Sequence, residues 1–451
     1  MKLFNSFTNT VEEFKTIEEN KVKMYVCGPT VYDYAHLGHA RCYITWDVLY
    51  RYLKFKGYDV TYCRNVTDVD DKILKKAEKE NKTPEEVSQY WYKQFENSMK
   101  ALNTLKPDIE PFATKTLGEM ISMVKDLIKN GYAYESNGDV YFRVKNFKNY
   151  GYLSKQPIDQ LESGARIEVG DQKEDPLDFA LWKKDEKFGY NSPWGVGRPG
   201  WHIECSAMSR KYLGKTIDIH AGGADLIFPH HENELAQSCC AFPGTHFAHY
   251  WVHTGMLMIN GVKMSKSLGN FYTVDEILAQ YPAEALRLLF LTTHYHQPFN
   301  FTFEGLQQAK AILDKFYNAL LKSADVPAQK AVVSDKVVAA LADDLNTPLA
   351  LSYLHETVNE LNKAQTAEEK GKLKAQLLAD AEMLGLLYND PEAWFKGDNN
   401  DKAAVIEKMI AQRAEAKKNK DWATADAIRE ELKVQGIILE DSPTGTTWKK
   451  I

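Results

Sequence analysis

The chain has 451 residues, of which 44% are hydrophobic and 26% are charged, and its formal net charge is −6. This length predicts two to four domains, and the composition supplies enough apolar side chains for their cores. The negative net charge excludes binding to nucleic acid through overall charge, so a nucleic-acid partner would need local basic surfaces on the protein.

The sequence predicts a cytoplasmic protein that does not cross a membrane. No window approaches the roughly 18 consecutive apolar residues of a membrane helix, and residues 1–6 lack the apolar stretch of a secretory signal. Apart from one adjacent pair, the cysteines are widely scattered, which favours free or metal-bound thiols over a disulfide framework. They are Cys27, Cys42, Cys63, Cys205, Cys239 and Cys240.

A parallel crossover unit is predicted near the N-terminus. Residues 22–27 have the pattern of a buried strand, residues 39–56 that of an amphipathic helix ended by Gly57, and residues 58–63 that of a second strand. Strand, helix and strand over about forty residues form a parallel unit. Because ligands bind beyond the carboxyl ends of such strands, we expect the segment after residue 27 and residues 65–68 to lie at the ligand edge.

The remaining elements alternate in type along the chain. Residues 132–200 show short β runs and turns that interrupt the crossover pattern, which indicates an insertion. Asn260-Gly261 predicts a type I′ hairpin over residues 257–263, and the chain is almost entirely helical from residue 309. A second hairpin is predicted from residues 437–440 and 446–449. Further helices are predicted at residues 70–103, 114–130, 201–213, 229–240, 402–418 and 422–435.

The motif His36-Leu37-Gly38-His39 opens the first predicted helix, directly after a buried strand and a short loop. Backbone N–H groups at a helix N-terminus attract anions, and glycine lets a phosphate approach the backbone. The two imidazoles add hydrogen-bond donors for phosphate charge. A surface helix start could carry the same four residues, so the position after the strand is what favours a nucleotide site.

A second motif, Lys263-Met264-Ser265-Lys266-Ser267, follows the predicted hairpin. Two lysines three residues apart, with hydroxyls between and after them, suit a mobile phosphate clamp, because an ammonium group on a flexible stem can follow a moving polyphosphate. A solvated basic loop is the alternative. The presence of the first motif in the same chain favours the clamp.

A third group of residues consists of possible metal ligands: Cys27, Cys205, His230 and Glu234. Their spacing alone predicts a metal poorly, since the chain has neither CxxC nor HExxH. His230 and Glu234 are four apart on a helix that Pro229 could start, so both can face one point, whereas His231 and Glu232 are expected to point elsewhere. On the residues alone, buried structural cysteines remain the favoured interpretation.

The first two motifs resemble the HIGH and KMSKS signatures of class I aminoacyl-tRNA synthetases, and Leu37 is the one departure in the first. Residues 27–30 (CGPT), 201–206 (WHIECS) and 228–234 (FPHHENE) resemble the cysteinyl-tRNA synthetase family in particular. The resemblance covers nearly the whole chain and ends in residues 439–448. It implies one zinc ion per chain, which would bind the substrate cysteine as a thiolate and have four ligands: Cys27, Cys205, His230 and Glu234.

The resemblance also implies roles for other residues. ATP, with Mg²⁺, would lie between the two motifs, with catalytic roles for the side chains of His36, His39, Lys263 and Lys266. The residues expected to bind ATP are His36, Gly38, His39, Asp225 and Lys266, with Asp225 on the ribose. Gly28, Thr67 and Trp201 would surround the amino acid. Two plainer alternatives are that Trp201 is a core aromatic residue and that Asp225 caps a helix.

The expected fold class is α/β: a class I Rossmann-like nucleotide-binding catalytic domain with an insertion, then an α-helical bundle and a small C-terminal mixed α/β domain. The expected segments are the first catalytic half (1–131), connective insertion (132–200), second catalytic half (201–255), hairpin and KMSKS stem-contact region (256–307), helical bundle (308–395) and C-terminal anticodon-binding domain (396–451).

The resemblance implies L-cysteine, ATP and tRNA(Cys) as partners of a monomer. Candidate tRNA contacts are Lys417, Lys418, Lys420 and Trp448. Two other functions remain open: a ligase that joins activated cysteine to an amino sugar, and an inactive tRNA-binding paralogue. The tail at residues 400–451 argues against the first, and the intact motifs argue against the second.

Overall fold

The computed structural model describes residues 1–156, 172–265, 268–396, 400–434, 436–442 and 445–450. The chain opens with an antiparallel pair, β1 (Lys2–Asn5) and β2 (Thr10–Glu13). The predicted crossover unit follows and is confirmed: β3 (Lys21–Val26), α1 (Leu37–Phe55) and β4 (Asp59–Arg64), with the two strands parallel. Helix α1 ends just before Gly57, whose φ is 85°.

The helical stretch predicted at residues 70–103 is two helices, α2 (Asp71–Glu80) and α3 (Pro84–Ala101). The break falls at Asn81, which has a φ of 53°, and Thr83 then caps α3 with a reciprocal bond to Glu86. Helix α4 covers Leu117–Lys129.

The predicted insertion is a separate antiparallel sheet in the order β5-β6-β7-β9-β8. Its strands are β5 (Ala133–Ser136), β6 (Asp139–Phe142), β7 (Phe179–Lys184), β8 (Tyr190–Ser192) and β9 (Gly195–Pro199). Crossover topology then resumes with α5 (Trp201–Leu213), β10 (Ile217–Gly223), α6 (Glu232–Ala241) and β11 (Ala248–Thr254).

The central sheet has the strand order β11-β10-β3-β4, and every neighbouring pair is parallel. Its strands are mostly buried; Tyr25 and Trp251 are fully buried in the main core. A parallel sheet covered by helices is the predicted doubly wound arrangement. The carboxyl ends of β3, β4 and β10 therefore meet at one edge, where the motifs lie.

The hairpin after the sheet is confirmed as β12 (Leu257–Ile259) and β13 (Val262–Lys263), and Asn260 and Gly261 both have positive φ. Two helices follow, α7 (Val274–Leu278) and α8 (Ala283–Leu291). Strand β14 (Phe299–Phe301) then returns to pair in parallel with β12.

The chain forms two compact units. The first comprises Met1–Lys310, Val333–Leu354 and Met383–Leu386, and the second Ala311–Val332, His355–Glu382 and Leu387–Ile451. The later helices are α9 (Phe303–Lys322), α10 (Asp335–Ala342), α11 (Thr347–Lys363), α12 (Ala367–Met383), α13 (Pro391–Lys396), α14 (Asn400–Lys418) and α15 (Trp422–Val434).

The C-terminal elements of the second unit have a small core of their own. Strands β15 (Ile437–Ser442) and β16 (Gly445–Lys450) form the predicted hairpin. The core consists of Ile406, Ile410, Leu432, Ile437, Leu439 and Trp448. Within the described residues, no helix is both long and apolar enough to span a bilayer.

Candidate active site

The site lies where the loop after β3 crosses the loop after β4. Thr67 N donates to Pro29 O at 3.0 Å, and Gly28 N donates to the Asn65 side chain at 2.8 Å. An ideal Cβ on Gly28 would lie 1.5 Å from Asn65 O. The two strand ends therefore approach so closely that only glycine fits at this position.

All four predicted ligands meet beside this crossing, although Cys27 and Cys205 are 178 positions apart in the chain. Cys27 Sγ lies 3.8 Å from Cys205 Sγ and 3.3 Å from Glu234 Oε1. His230 Nε2 lies 3.5 Å from Cys205 Sγ and 3.1 Å from Glu234 Oε1. All four side chains are buried, and their ligand atoms lie within 4.8 Å of one another.

The electrostatics of this cluster favour a cation. Burial opposes ionisation of Glu234, yet His220 and His230 hold the pKa of that carboxyl well below its usual range. Burial likewise acts against Cys205, but the hydrogen bond from the Cys27 thiol and the neighbouring His230 lower its pKa to about 6. Burial and the adjacent Cys205 and Glu234 raise the pKa of Cys27. Two sulfurs, an imidazole and a carboxylate are a donor set that fits Zn²⁺.

A second layer of histidines surrounds the cluster. His231 Nε2 lies 3.3 Å from Cys27 Sγ, so the expectation that His231 points elsewhere is wrong. His220 Nε2 lies 2.8 Å from Glu234 Oε2, and Cys27, His220, His231 and Glu234 form an alternative ligand group. Glu232 does point elsewhere, since its carboxylate accepts from Ser154 N at 2.8 Å. Such neighbours orient metal ligands.

The chain that leads into α6 is irregular at Phe228, and His230 and His231 follow directly. Phe228 has an extended backbone (φ −134°, ψ 132°), so Pro229 does not begin a regular helix. The residues Ile227–His231 form a wide turn, and α6 starts only at Glu232. His230 and His231 lie four and three residues before Glu234, and both spacings place a side chain on the helix face that carries Glu234.

The first motif caps α1 with its own imidazoles. His39 N donates to His36 Nδ1 at 3.3 Å, His36 N donates to His39 Nδ1 at 3.2 Å, and the two rings stack at 3.6 Å. A neutral imidazole that accepts at Nδ1 carries its proton on Nε2. Burial, and then His36, hold the pKa of His39 well below its usual value. The motif therefore combines a helix N-terminus with Nε2–H donors.

A cavity of about 300 Å³ joins several of the predicted residues. Its lining includes Gly28, His36, His39, Trp201, Asp225 and Lys263. Gly38 and Cys27 also line it, whereas Thr67 is buried behind it, where its hydroxyl donates to Glu204 Oε2 at 2.7 Å. Lys266 falls outside the described residues.

The plainer alternatives for Trp201 and Asp225 are wrong. Trp201 is 41% exposed, and its ring centroid lies 4.1 Å from that of His230, so it is a wall of the cleft and not a core residue. Asp225 lies inside the short turn Ala224–Leu226, whose N-cap is Gly223, and its side chain makes no cap bond.

Two buried charged residues at the site escaped the sequence analysis. Glu204 is 1% exposed and holds the Thr67 hydroxyl, and Arg41 is 2% exposed and lines the cavity. A signal for each was present, because Arg41 follows the first motif by two residues and Glu204 lies within the segment WHIECS.

Residues 13–311 match the family described as tRNA synthetases class I (C) catalytic domain. Residues 336–388 match the DALR domain, and residues 400–448 match the cysteinyl-tRNA ligase anticodon binding domain.

Among similar proteins, the cysteine–tRNA ligase of Paramagnetospirillum magneticum is 52% identical over 99% of both chains. That of Haemophilus influenzae is 50% identical over 100% of both. Among solved structures, Mycobacterium tuberculosis methionyl-tRNA synthetase with methionyl-adenylate aligns with a TM-score of 0.55 at 15% identity, over 85% of this chain and 95% of that one, which shows the shared fold.

Proposed function

The chain belongs to the cysteine–tRNA ligase family, and we propose that it joins L-cysteine to tRNA(Cys) in two steps at the cavity described above. In the first step the carboxylate of cysteine attacks the α-phosphate of ATP, which gives cysteinyl-adenylate and releases pyrophosphate. In the second, the terminal ribose hydroxyl of the tRNA attacks the acyl carbon and AMP leaves.

The observation that carries this proposal is the buried cluster beside a cavity that is lined both by Cys27, a member of the cluster, and by His36 and His39 of the first motif. Held by Cys27, Cys205, His230 and Glu234, a zinc ion would bind the substrate sulfur as a thiolate and lower its pKa from about 8.5. Apolar pockets separate near-isosteres only roughly 10–200-fold. A thiophilic site rejects serine better, because a hydroxyl is a poor ligand and stays protonated.

The remaining residues position the two substrates. Gly28 lets the amino acid approach the backbone, and Trp201 covers the cysteine from the cleft side. His36 and His39 donate to the phosphates through Nε2, and Asp225 accepts from the ribose. Thr67, buried behind the cavity wall, would contact the amino acid from that side.

The lysines of the second motif are proposed to balance the negative charge of the phosphates. Lys263 lines the cavity, and Lys266 is proposed to stabilise pyrophosphate as it leaves. Mg²⁺ would accompany ATP as in other nucleotide enzymes. Positioning and electrostatic stabilisation together supply the catalysis.

The C-terminal segment is proposed to read the anticodon, with one change from the sequence analysis. Trp448 is 5% exposed and donates to Glu407 Oε1 at 2.7 Å, so it is a core residue and not a base contact. Trp422, in contrast, is 61% exposed and follows the lysines of residues 417–420, of which Lys417 pairs with Asp441 at 2.8 Å. An exposed indole beside cations suits stacking on an unpaired base.

The segment bounds given above (1–131, 132–200, 201–255, 256–307, 308–395 and 396–451) are proposed to be functional divisions of a cytoplasmic monomer. The match of residues 400–448 to an anticodon-binding domain supports tRNA over an amino sugar as the acceptor. The four candidate zinc ligands in one buried cluster, with His36, His39 and Lys263 lining the adjoining cavity, support activity over an inactive paralogue.

Cysteine-dependent exchange of pyrophosphate into ATP tests this function. We expect exchange that a strong zinc chelator abolishes, that added zinc restores, and that serine does not support. Charging of tRNA(Cys) and not of an amino sugar should follow. Exchange that ignores the chelator, or that serine supports equally, contradicts the role of the cluster, and absence of exchange by the zinc-loaded protein contradicts the activity.

A further inference from the structure

Arg41 is a buried cation two residues after the first motif, and it binds four backbone carbonyls. Nη1 donates to Gly255 O at 2.7 Å and to Met256 O at 3.1 Å. Nη2 donates to Tyr295 O at 3.1 Å and also to Gln297 O. The side chain is 2% exposed.

The chemistry of a guanidinium suits this arrangement. Its planar fork presents donors in fixed directions, so the two terminal nitrogens can each bind two oxygens. Burial lowers the pKa of Arg41 to about 10, so it remains a cation at neutral pH. A buried cation is costly unless its donors are satisfied, and here four carbonyl dipoles provide that compensation.

The four carbonyls belong to two segments that must stay in register. Gly255 and Met256 join β11 to β12, and Tyr295 and Gln297 lead into β14. Gly255 N donates to Tyr295 O at 2.8 Å. An ideal Cβ on Gly255 would lie 2.3 Å from Gln297 O, so the two segments approach each other as closely as only a glycine allows.

These segments also form part of the site. Gly255, Met256 and Leu257 line the same cavity as His36 and His39. Strand β12 pairs with β13, which ends at Lys263, and with β14 on its other side. The Arg41 side chain thus links the helix of the first motif to the strands that lead to the second.

We propose that Arg41 is a positioning residue that holds the cavity wall at residues 255–257 and the base of the KMSKS hairpin against the HLGH helix. This inference rests on the proposed function, because it assigns ATP to the cavity between the motifs. Arg41 acts on ATP through the backbone it holds. Binding of cysteine and metal does not depend on it, because none of the hydrogen bonds of Arg41 involves a residue of the cluster.

The test compares Arg41→Lys and Arg41→Gln with wild type in cysteine-dependent pyrophosphate exchange. An ammonium or an amide cannot reach all four carbonyls, and a misplacement of about 1 Å can cost about 100-fold. We expect kcat/KM for ATP to fall about 10- to 100-fold, and less for Lys than for Gln. The KM for cysteine and the zinc content should stay at the wild-type level.

Arg287→Lys is the control for loss of a buried guanidinium, because Arg287 is also fully buried and does not line the cavity. It donates to the carbonyls of Leu102, Asn103 and Leu384 and forms an ion pair with Asp47, a residue of α1 beyond the first motif. The Arg287→Lys variant should lower thermal stability without a change in the KM for ATP. Gly255→Ala disturbs the same pair of segments without changing Arg41. If the Arg41 variants do not fold, the ATP kinetics of Gly255→Ala test the proposal instead.

The proposal is overturned if folded Arg41 variants keep wild-type kcat/KM for ATP, if cysteine and ATP parameters fall equally, or if Arg287→Lys shows the same ATP defect. With unfolded Arg41 variants, a Gly255→Ala protein with normal ATP kinetics overturns it. Loss of exchange by the wild-type protein would instead contradict the proposed function, so the two failures are distinguishable.

Discussion

Replacing Gly28 with alanine tests the closest backbone approach at the site. The added Cβ would lie 1.5 Å from Asn65 O and 2.6 Å from the Asn65 carbonyl carbon. Ordinary contacts between carbon and oxygen begin near about 3.3 Å, so the two strand ends must separate by about 2 Å. That separation would also break the neighbouring hydrogen bond that Gly28 N donates to Asn65 Oδ1 at 2.8 Å.

The magnitude follows from this displacement. Overpacking of a buried contact costs about 1–3 kcal/mol in the free energy of unfolding. Because Cys27 is the adjacent residue, the cluster and the cysteine subsite move as well, and a shift of 1 Å or more should lower exchange by about 100-fold or more. Denaturant unfolding measures the first quantity, and initial rates of pyrophosphate exchange measure the second.

Gly118→Ala is the matched control, since Gly118 lies in α4 and an added Cβ there meets no atom within 4 Å. Alanine in a helix should raise the free energy of unfolding by up to about 1 kcal/mol and leave exchange unchanged. Gly28→Ala with the stability and exchange of wild type would refute the close crossing of the two loops.

Three further predictions concern the metal, pH and tRNA. Cys205→Ser should lose zinc and exchange while circular dichroism stays native, because one soft ligand of the cluster is removed; retained zinc and exchange would contradict its role. Burial, and then His220, lower the pKa of His253 to about 3, so between about pH 6.5 and 3 the unfolded chain binds the extra proton. The free energy of unfolding should therefore decrease as the pH is lowered through that window, by up to about 1.4 kcal/mol per pH unit. His253→Gln should flatten this slope in denaturant titrations, and an unaltered slope would contradict the assignment. Trp422→Ala should weaken charging of tRNA(Cys) without affecting exchange, whereas Trp448→Ala should destabilise the C-terminal core by about 3–5 kcal/mol; equal charging by wild type and Trp422→Ala would refute the stacking surface.

Local signals predicted much of the fold. The apolar run of residues 22–27 and the stop at Gly57 gave correct elements, because period and capping are properties of short segments. Asn260-Gly261 likewise predicted its turn correctly. The break in residues 70–103 was missed, although Thr83, Pro84 and Glu86 form a readable helix start. A strong helical pattern on both sides concealed it.

The candidate site was harder to predict, because it depends on tertiary contacts. Spacing cannot show that Cys27 and Cys205 lie 3.8 Å apart, so that grouping came from the family resemblance. The position of His231 was misjudged although it lies three residues before Glu234, a spacing that places two side chains on the same face of a helix. Trp448 was misjudged because its burial is decided by residues from several elements, including Ile406 and Leu432.

The most direct test of the central claim is zinc K-edge X-ray absorption on the zinc-loaded protein, with and without cysteine. The two cluster cysteines predict two sulfur neighbours of the metal without substrate. We expect cysteine to add a third and serine to add none. A sulfur count that cysteine leaves unchanged would contradict selection of the substrate by its thiolate.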